Sequence, residues 1–162
     1  MDTLDTLAAE LGQALKTKGW MLALAESCTG GMAASAITSV AGSSSWFDRG
    51  FVTYSNEAKM QMLGVKAETL EKFGAVSEQT ALEMAQGALQ HSQAQITCSI
   101  TGIAGPDGGT AEKPVGTVCF AWAGTDIMPA TKTCHFSGNR QEIRIQSATT
   151  ALSGLIDALK SH

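Results

Sequence analysis

Three adjacent residues, Ser27, Cys28 and Thr29, carry hydroxyl or thiol groups that could attack an electrophile or form hydrogen bonds. They lie in the segment Glu26–Gly31 (ESCTGG), between an apolar run and a helical pattern of small residues. The predicted order is strand, tight turn and helix. Such a turn directs backbone N–H groups and the positive end of the helix dipole to one point, which suits an anion or an oxyanion. A simple turn with a capping serine or threonine is equally compatible with this pattern.

A hydroxyl nucleophile needs a base, and the three histidines are poorly placed for that role. His91 falls at the tail of a predicted helix, His135 in a late strand and His162 at the chain end, which disfavours a Ser-His-Asp triad. Lys59 is the alternative. Since Ser55 is predicted to cap a helix, Lys59 lies near the start of that helix, where the dipole and partial burial would lower the lysine pKa. A solvated lysine on a helix is the ordinary alternative.

Other polar residues could support the same chemistry. Tyr54 ends a predicted strand and could relay a proton or orient the reacting pair, or it could simply lie at the surface. The loop 102–110 is rich in glycine, which either brings backbone close to a ligand or makes a wide turn. Arg140 is predicted in the first turn of the last helix, where it could bind phosphate beside helical N–H groups. Arg49 and Arg144 are weaker candidates for binding phosphate.

The elements that must position these residues alternate along the chain. Helices are predicted at 3–18, 32–40, 55–63, 67–72, 77–92 and from 139 to the C-terminus, and strands at 20–25, 47–54, 96–101, 115–123 and 131–136. Alternation favours an α/β layered fold with a mostly parallel sheet, and the short connection between the last two strands predicts an antiparallel pair and hence a mixed sheet. Ligands sit beyond the carboxyl ends of strands in such folds. The polar segments 26–31, 54–59 and 101–113 are therefore expected to converge.

Composition excludes several classes of protein. With 162 residues, 44% of them hydrophobic and 16% charged, the chain is expected to form one globular domain over residues 1–162. A net charge of −4 with scattered basic residues argues against a nucleic-acid partner, and no apolar run is long enough for a membrane span. No signal peptide is evident, so a cytoplasmic location is expected. The four cysteines form no metal-binding pattern, and we expect free thiols and no metal site.

Four motifs occur in a specific order, and together they resemble one family. They are Ala25–Gly31 (AESCTGG), Gly50–Lys59 (GFVTYSNEAK), Gly74–Ser77 (GAVS) and Thr101–Gly109 (TGIAGPDGG). The combination is similar to the C-terminal-domain family of the competence/damage-inducible protein CinA, over about residues 5–160. Within that family, the chain resembles amidohydrolases that act on nicotinamide mononucleotide.

The resemblance implies a three-layer α/β/α sandwich that hydrolyses the carboxamide of nicotinamide mononucleotide in the recycling of NAD. It implies Ser27 as nucleophile, Lys59 as general base and Tyr54 as an assisting group, with no cofactor. It implies a homo-oligomer, with a dimer as one form. The role of Glu26 stays open between orienting Lys59 and orienting a loop amide. The residues expected to line the substrate site are Glu26, Thr29, Gly30, Gly31, Asn56, Thr101, Gly102, Gly105 and Arg140.

Two other functions remain open from the sequence. The same loops could hold a phosphate in a non-catalytic nucleotide-binding or regulatory module, in which Ser27 would only donate a hydrogen bond. Alternatively, Cys28 could be the nucleophile of a cysteine hydrolase. This second function is less favoured, because no histidine is placed to activate the thiol.

Overall fold

A computed structural model of the chain describes residues 2–162. The strands are β1 (Leu22–Glu26), β2 (Phe47–Val52), β3 (Ile96–Gly102), β4 (Thr117–Gly124) and β5 (Ile127–His135). The helices are α1 (Thr3–Lys18), α2 (Met32–Thr38), α3 (Asn56–Leu63), α4 (Ala67–Phe73), α5 (Glu78–Gln90) and α6 (Arg140–Ser161), with a short 3₁₀ turn at Ser43–Ser45. No helix among these residues is both long enough and apolar enough to cross a lipid bilayer.

The five strands form one mixed sheet in the order β2-β1-β3-β4-β5. β2, β1 and β3 run parallel, whereas β4 is antiparallel to both β3 and β5. Four of the five strands therefore point the same way, and the predicted α/β fold with its antiparallel final pair is confirmed. β5 starts four residues before the predicted strand 131–136, because Ile127 already pairs with Gly124 across a tight turn.

Helices cover both faces of the sheet, which confirms the three-layer arrangement. α1, α2 and α6 pack on one face, and α5 packs on the other with α3 and α4 beside it. The alternation of side chains in β3 matches this division. Ile100 enters the larger core beneath α6, whereas the hydroxyls of Thr97 and Ser99 face α5 and donate to the carbonyls of Ala85 (2.8 Å) and Ala81 (2.5 Å).

Capping residues fix the two helices that carry candidate site residues. Ser55 Oγ accepts the Ala58 N–H at the start of α3, and Gly64 ends this helix with a φ of 72°, a conformation that favours glycine. At the start of α6, Asn139 and Glu142 form a reciprocal capping box. The predicted starts of both helices are confirmed.

Candidate active site

The carboxyl ends of the parallel strands β2, β1 and β3 meet at one edge of the sheet, and a pocket of about 260 Å³ lies there. The predicted convergence of the three polar segments is therefore confirmed. The pocket lining contains the expected site residues Ser27, Tyr54, Asn56, Lys59, Thr101, Gly102, Gly105 and Arg140. A larger cleft of about 710 Å³ between β5 and α6 contains no such pairing of a nucleophile with a base among the described residues.

Ser27 and Lys59 form a buried pair at the base of this pocket. Lys59 Nζ lies 3.2 Å from Ser27 Oγ and 3.1 Å from the carbonyl oxygen of Thr53. The lysine is 1% exposed, and neither salt bridge found in residues 2–162 involves it. Burial lowers the pKa of Lys59 below the ordinary lysine value, because the charged form loses its hydration. The amine can therefore lose its proton and act as a base towards the serine hydroxyl.

Cys28 also lines the pocket, but its environment opposes thiolate chemistry. Burial raises the pKa of Cys28 to about 12, so the thiol stays protonated near neutral pH. Because Lys59 Nζ contacts Ser27 Oγ and the Cys28 thiol stays protonated, the site favours Ser27 over Cys28 as nucleophile.

The side chain of Glu26 occupies the start of α2. Its Oε1 accepts the Thr29 hydroxyl (2.6 Å) and the N–H groups of Gly31 (3.2 Å) and Ala33 (3.0 Å), and its Oε2 accepts the N–H of Ala34 (2.9 Å). The anion at this helix start is thus the protein's own buried carboxylate. Between the two roles left open for Glu26, the structure favours the orientation of loop amides.

This pairing involves four of the residues that were expected to line the substrate site. The hydroxyl of Thr29 and the N–H of Gly31 are bound to Glu26, and the N–H of Gly30 donates to the Ser27 carbonyl at 3.0 Å. None of Glu26, Thr29, Gly30 and Gly31 lines the pocket. The polar groups of Glu26, Gly30 and Gly31 are paired within the turn and give no support for contacts with the substrate, whereas Thr29 retains a backbone N–H without a partner.

Two other N–H groups of the turn remain available. Ser27 N–H donates to the carbonyl of Ile100 at 2.9 Å. In contrast, the N–H groups of Cys28 and Thr29 enter no hydrogen bond found in residues 2–162. Both residues are buried. Because buried N–H groups are nearly always paired in folded proteins, these two are candidates to bind a ligand oxygen beside Ser27.

Arg140 and Tyr54 form part of the pocket wall. Arg140 donates to the carbonyl of Gly105 at 2.8 Å and to the Tyr54 hydroxyl at 3.2 Å. Tyr54 is 62% exposed, and its hydroxyl engages the arginine rather than Ser27 or Lys59. Tyr54, which was expected to assist the nucleophile, therefore lies in the pocket but contacts neither Ser27 nor Lys59.

Two lining residues, Ala75 and Val76, belong to a connection that was not predicted to reach the site. Thr101 Oγ1 donates to the carbonyl of Ala75 at 2.8 Å, and Lys113 Nζ donates to the carbonyl of Phe73 at 2.7 Å. The first bond holds the turn 74–77 against the end of β3, and the second joins the end of α4 to the loop that follows β3. The GAVS motif was the available signal, although it gave no chemical role. The other lining residues, Cys28, Ile103, Ala104 and Asp107, belong to the segments 26–31 and 101–113 that were expected to converge.

Comparison with known proteins places this geometry in a family. The sequence of residues 4–159 matches the protein-family model described as the CinA C-terminal domain. The chain is 58% identical to nicotinamide-nucleotide amidohydrolase PncC of Enterobacter agglomerans and 56% identical to that of Escherichia coli K12. These alignments cover 92% of this chain and 91% and 90% of the relatives.

A solved structure has the same fold. The competence/damage inducible protein CihA from Agrobacterium tumefaciens matches with a TM-score of 0.96 and 48% identity, over 99% of this chain and 97% of that one. The chain therefore belongs to the CinA C-terminal domain family.

Proposed function

We propose that the protein hydrolyses the carboxamide of nicotinamide mononucleotide to nicotinate mononucleotide and ammonia. The single observation that carries the chemistry is the buried contact between Ser27 and Lys59. The substrate class is suggested by the nicotinamide-nucleotide amidohydrolases to which the chain is similar. We further propose that the reaction returns the pyridine ring to NAD synthesis.

The Ser27–Lys59 pair supports a two-step covalent mechanism. Neutral Lys59 accepts the hydroxyl proton while Ser27 Oγ bonds to the amide carbon, giving a tetrahedral intermediate. The carbon–nitrogen bond then breaks, and the ammonium of Lys59 returns the proton to the leaving nitrogen, which departs as ammonia. Water attacks the resulting ester with Lys59 again accepting the proton. The bond between the carbon and Ser27 Oγ then breaks, and Lys59 returns its proton to Ser27. The product carboxylic acid ionises to the carboxylate and releases the second proton of the water to solvent.

The oxyanion of the intermediate needs hydrogen-bond donors. We assign this role to the N–H groups of Cys28 and Thr29, because they are the turn amides without a protein partner beside Ser27. The loss of one such donor typically costs about 3 kcal/mol of transition-state stabilisation. This assignment replaces the earlier expectation for Gly30 and Gly31.

The substrate phosphate is assigned to Arg140. Its guanidinium lies at the pocket, bonded to Gly105 and Tyr54. A planar guanidinium can bind phosphate through two parallel hydrogen bonds, which suits it to a nucleotide.

An ammonia-release assay tests the proposed function. Purified wild-type protein treated with a chelator is expected to release ammonia from nicotinamide mononucleotide, and Ser27→Ala is expected to lower kcat by about 10⁴-fold or more. Cys28→Ala serves as the matched control on the adjacent residue and should retain turnover. Binding without turnover by the wild type would instead support a non-catalytic nucleotide-binding module. Loss of activity only in Cys28→Ala would support a thiol nucleophile.

A further inference from the structure

Arg144 lies on α6, one turn after Arg140, but it faces the nucleophile turn rather than the pocket. Its Nε donates to the carbonyl of Cys28 at 3.1 Å, and its Nη2 donates to the carbonyl of Thr29 at 3.0 Å. Its third nitrogen, Nη1, donates to Gln141 Oε1 on the same helix at 3.2 Å. One guanidinium thus spans two consecutive carbonyl groups directly after Ser27.

We propose that Arg144 is a positioning residue that holds the nucleophile turn and orients its oxyanion-binding Thr29 N–H. This inference rests on the proposed amide hydrolysis, and it gives a role to a residue that does not line the pocket. From the sequence, Arg144 was only a weak candidate for binding phosphate. The observed bonds to carbonyl oxygens argue against phosphate binding, because they occupy the N–H donors of Arg144 that an anion would need.

Peptide geometry links the carbonyls of Cys28 and Thr29 to the N–H groups of the residues that follow them. In a planar trans peptide the C=O and the following N–H point in opposite directions. The bond from Arg144 to the Cys28 carbonyl therefore sets the direction of the Thr29 N–H, which has no other partner. The bond to the Thr29 carbonyl likewise sets the direction of the Gly30 N–H, which closes the turn on Ser27.

Charge adds to this orienting effect. A hydrogen bond from a guanidinium to a carbonyl polarises the whole peptide group and makes its N–H a stronger donor. The positive charge of Arg144 also acts on the group beside Ser27. Although burial dominates the raised pKa of Cys28, Arg144 opposes that shift. A negative oxygen that forms near the turn would be stabilised in the same way.

The turn is held by opposite charges on its two sides. Glu26 binds the Thr29 hydroxyl and the N–H groups at the start of α2, whereas Arg144 binds two carbonyls. The approach of Arg144 is close. A Cβ added at Gly30 would lie 3.6 Å from its Nη2, in contact with the guanidinium. Removal of Arg144 would leave the Cys28–Thr29 peptide without a side-chain partner on its carbonyl side.

Steady-state kinetics of Arg144→Ala and Arg144→Lys test the proposal. We expect Arg144→Ala to lower kcat about 10- to 100-fold, less than the 10²- to 10³-fold typical for complete loss of an oxyanion donor, with KM within about twofold of wild type. The lysine of Arg144→Lys can reach only one of the two carbonyls, so the kcat of this variant should lie between those of the wild type and Arg144→Ala. Added guanidinium ion at millimolar concentration should partly restore kcat of Arg144→Ala. Arg49→Ala, which also loses an arginine-to-carbonyl bond but lies elsewhere, is the matched control.

A second readout does not depend on activity. Amide hydrogen exchange of the peptide containing residues 27–31 should accelerate in Arg144→Ala and stay unchanged in Arg49→Ala. Unchanged kcat and unchanged exchange in Arg144→Ala would overturn the proposal, as would a raised KM with kcat intact, which would indicate substrate binding instead. If the wild type released no ammonia, the proposed function would fail, and the exchange data alone would decide whether Arg144 holds the turn.

Discussion

Lys59 Nζ and Ser27 Oγ lie 3.2 Å apart in a buried site, and Lys59 forms no salt bridge within residues 2–162. A buried amine without a neighbouring carboxylate is easier to deprotonate than a lysine in water. The relationship between these two residues therefore couples the proposed chemistry to pH.

The first prediction is that kcat/KM falls as the pH drops below the lowered pKa of Lys59. Because burial lowers the pKa of Lys59, the neutral amine is present at lower pH than for an ordinary lysine. As pH falls through that lowered pKa, Lys59 is protonated and can no longer accept the Ser27 proton. We expect kcat/KM for nicotinamide mononucleotide to drop tenfold per pH unit on this limb. A value of kcat/KM that stays constant from pH 10.5, the ordinary lysine pKa, down to the lowest pH at which the protein is folded would contradict the role of Lys59 as base.

The second prediction concerns stability in Lys59→Met. The folded-state pKa of Lys59 lies below the unfolded value of 10.5, so between these two values the unfolded chain binds more protons. The free energy of unfolding of the wild type should therefore rise with pH across this window. Lys59→Met lacks this contribution, and its stability relative to wild type should be greatest below the lowered pKa. Urea unfolding at several pH values measures the difference, while ammonia release should be abolished at all of them.

The third prediction tests the carboxylate inside the turn. In Glu26→Gln, one acceptor oxygen becomes an NH₂ group that faces backbone donors at the start of α2. We expect the free energy of unfolding to fall by about 1–3 kcal/mol, because a buried donor loses its partner. Glu57→Gln is the control, since the Glu57 carboxyl likewise lies at the start of a helix, in the first turn of α3, but is exposed. Equal stability of the two variants, measured by chemical denaturation, would show that Glu26 is dispensable for the turn.

The fourth prediction separates phosphate binding from chemistry. Arg140→Ala should raise KM for nicotinamide mononucleotide about 10- to 100-fold, the effect of losing a charged hydrogen-bond partner, with a smaller change in kcat. Nicotinamide riboside lacks the phosphate and provides the control. If Arg140 binds phosphate, kcat/KM for the riboside should be nearly the same in wild type and variant. A similar loss with both substrates would instead assign Arg140 to the pocket wall alone.

The fifth prediction concerns the contact that supports α3. A Cβ added at Gly87 would lie 1.9 Å from the carbonyl oxygen of Leu63, which ends the helix that carries Lys59. Alanine is favoured over glycine inside a helix by about 1 kcal/mol. Gly87→Ala should nevertheless lower the free energy of unfolding by about 1–3 kcal/mol through overpacking, and it should lower kcat by displacing Lys59. Gln86→Ala on the exposed side of α5 should change neither quantity.

Local sequence signals were sufficient where neighbouring residues determine the structure. Ser55 and Gly64 delimit α3, and Asn139 starts α6, because caps depend on groups only a few residues apart. Correct placement of α3 was enough to bring Lys59 to the pocket. β5 was less predictable, since it is an exposed edge strand whose residues lack a clear apolar alternation. Pro129 in this strand is tolerated because an edge leaves one side unpaired.

The interior of the candidate site could not be predicted from spacing. The acceptor for the Gly31 N–H depends on the side-chain conformation of Glu26, which no pattern of residue types reveals. Arg144 reaches the Cys28 carbonyl across 116 positions of sequence, and this contact exists only after α6 packs on the sheet. The connection at Ala75 likewise becomes part of the pocket only through Thr101.

The carboxylate of Glu26 has one further consequence. A turn that already contains its own counter-ion has its amides ordered in the free protein, whereas an empty anion-binding turn must become ordered when its ligand arrives. Substrate binding would then cost little conformational entropy at Ser27, and a larger share of the contact energy would appear as affinity. The backbone of residues 26–34 is expected to superpose closely between free and substrate-bound protein.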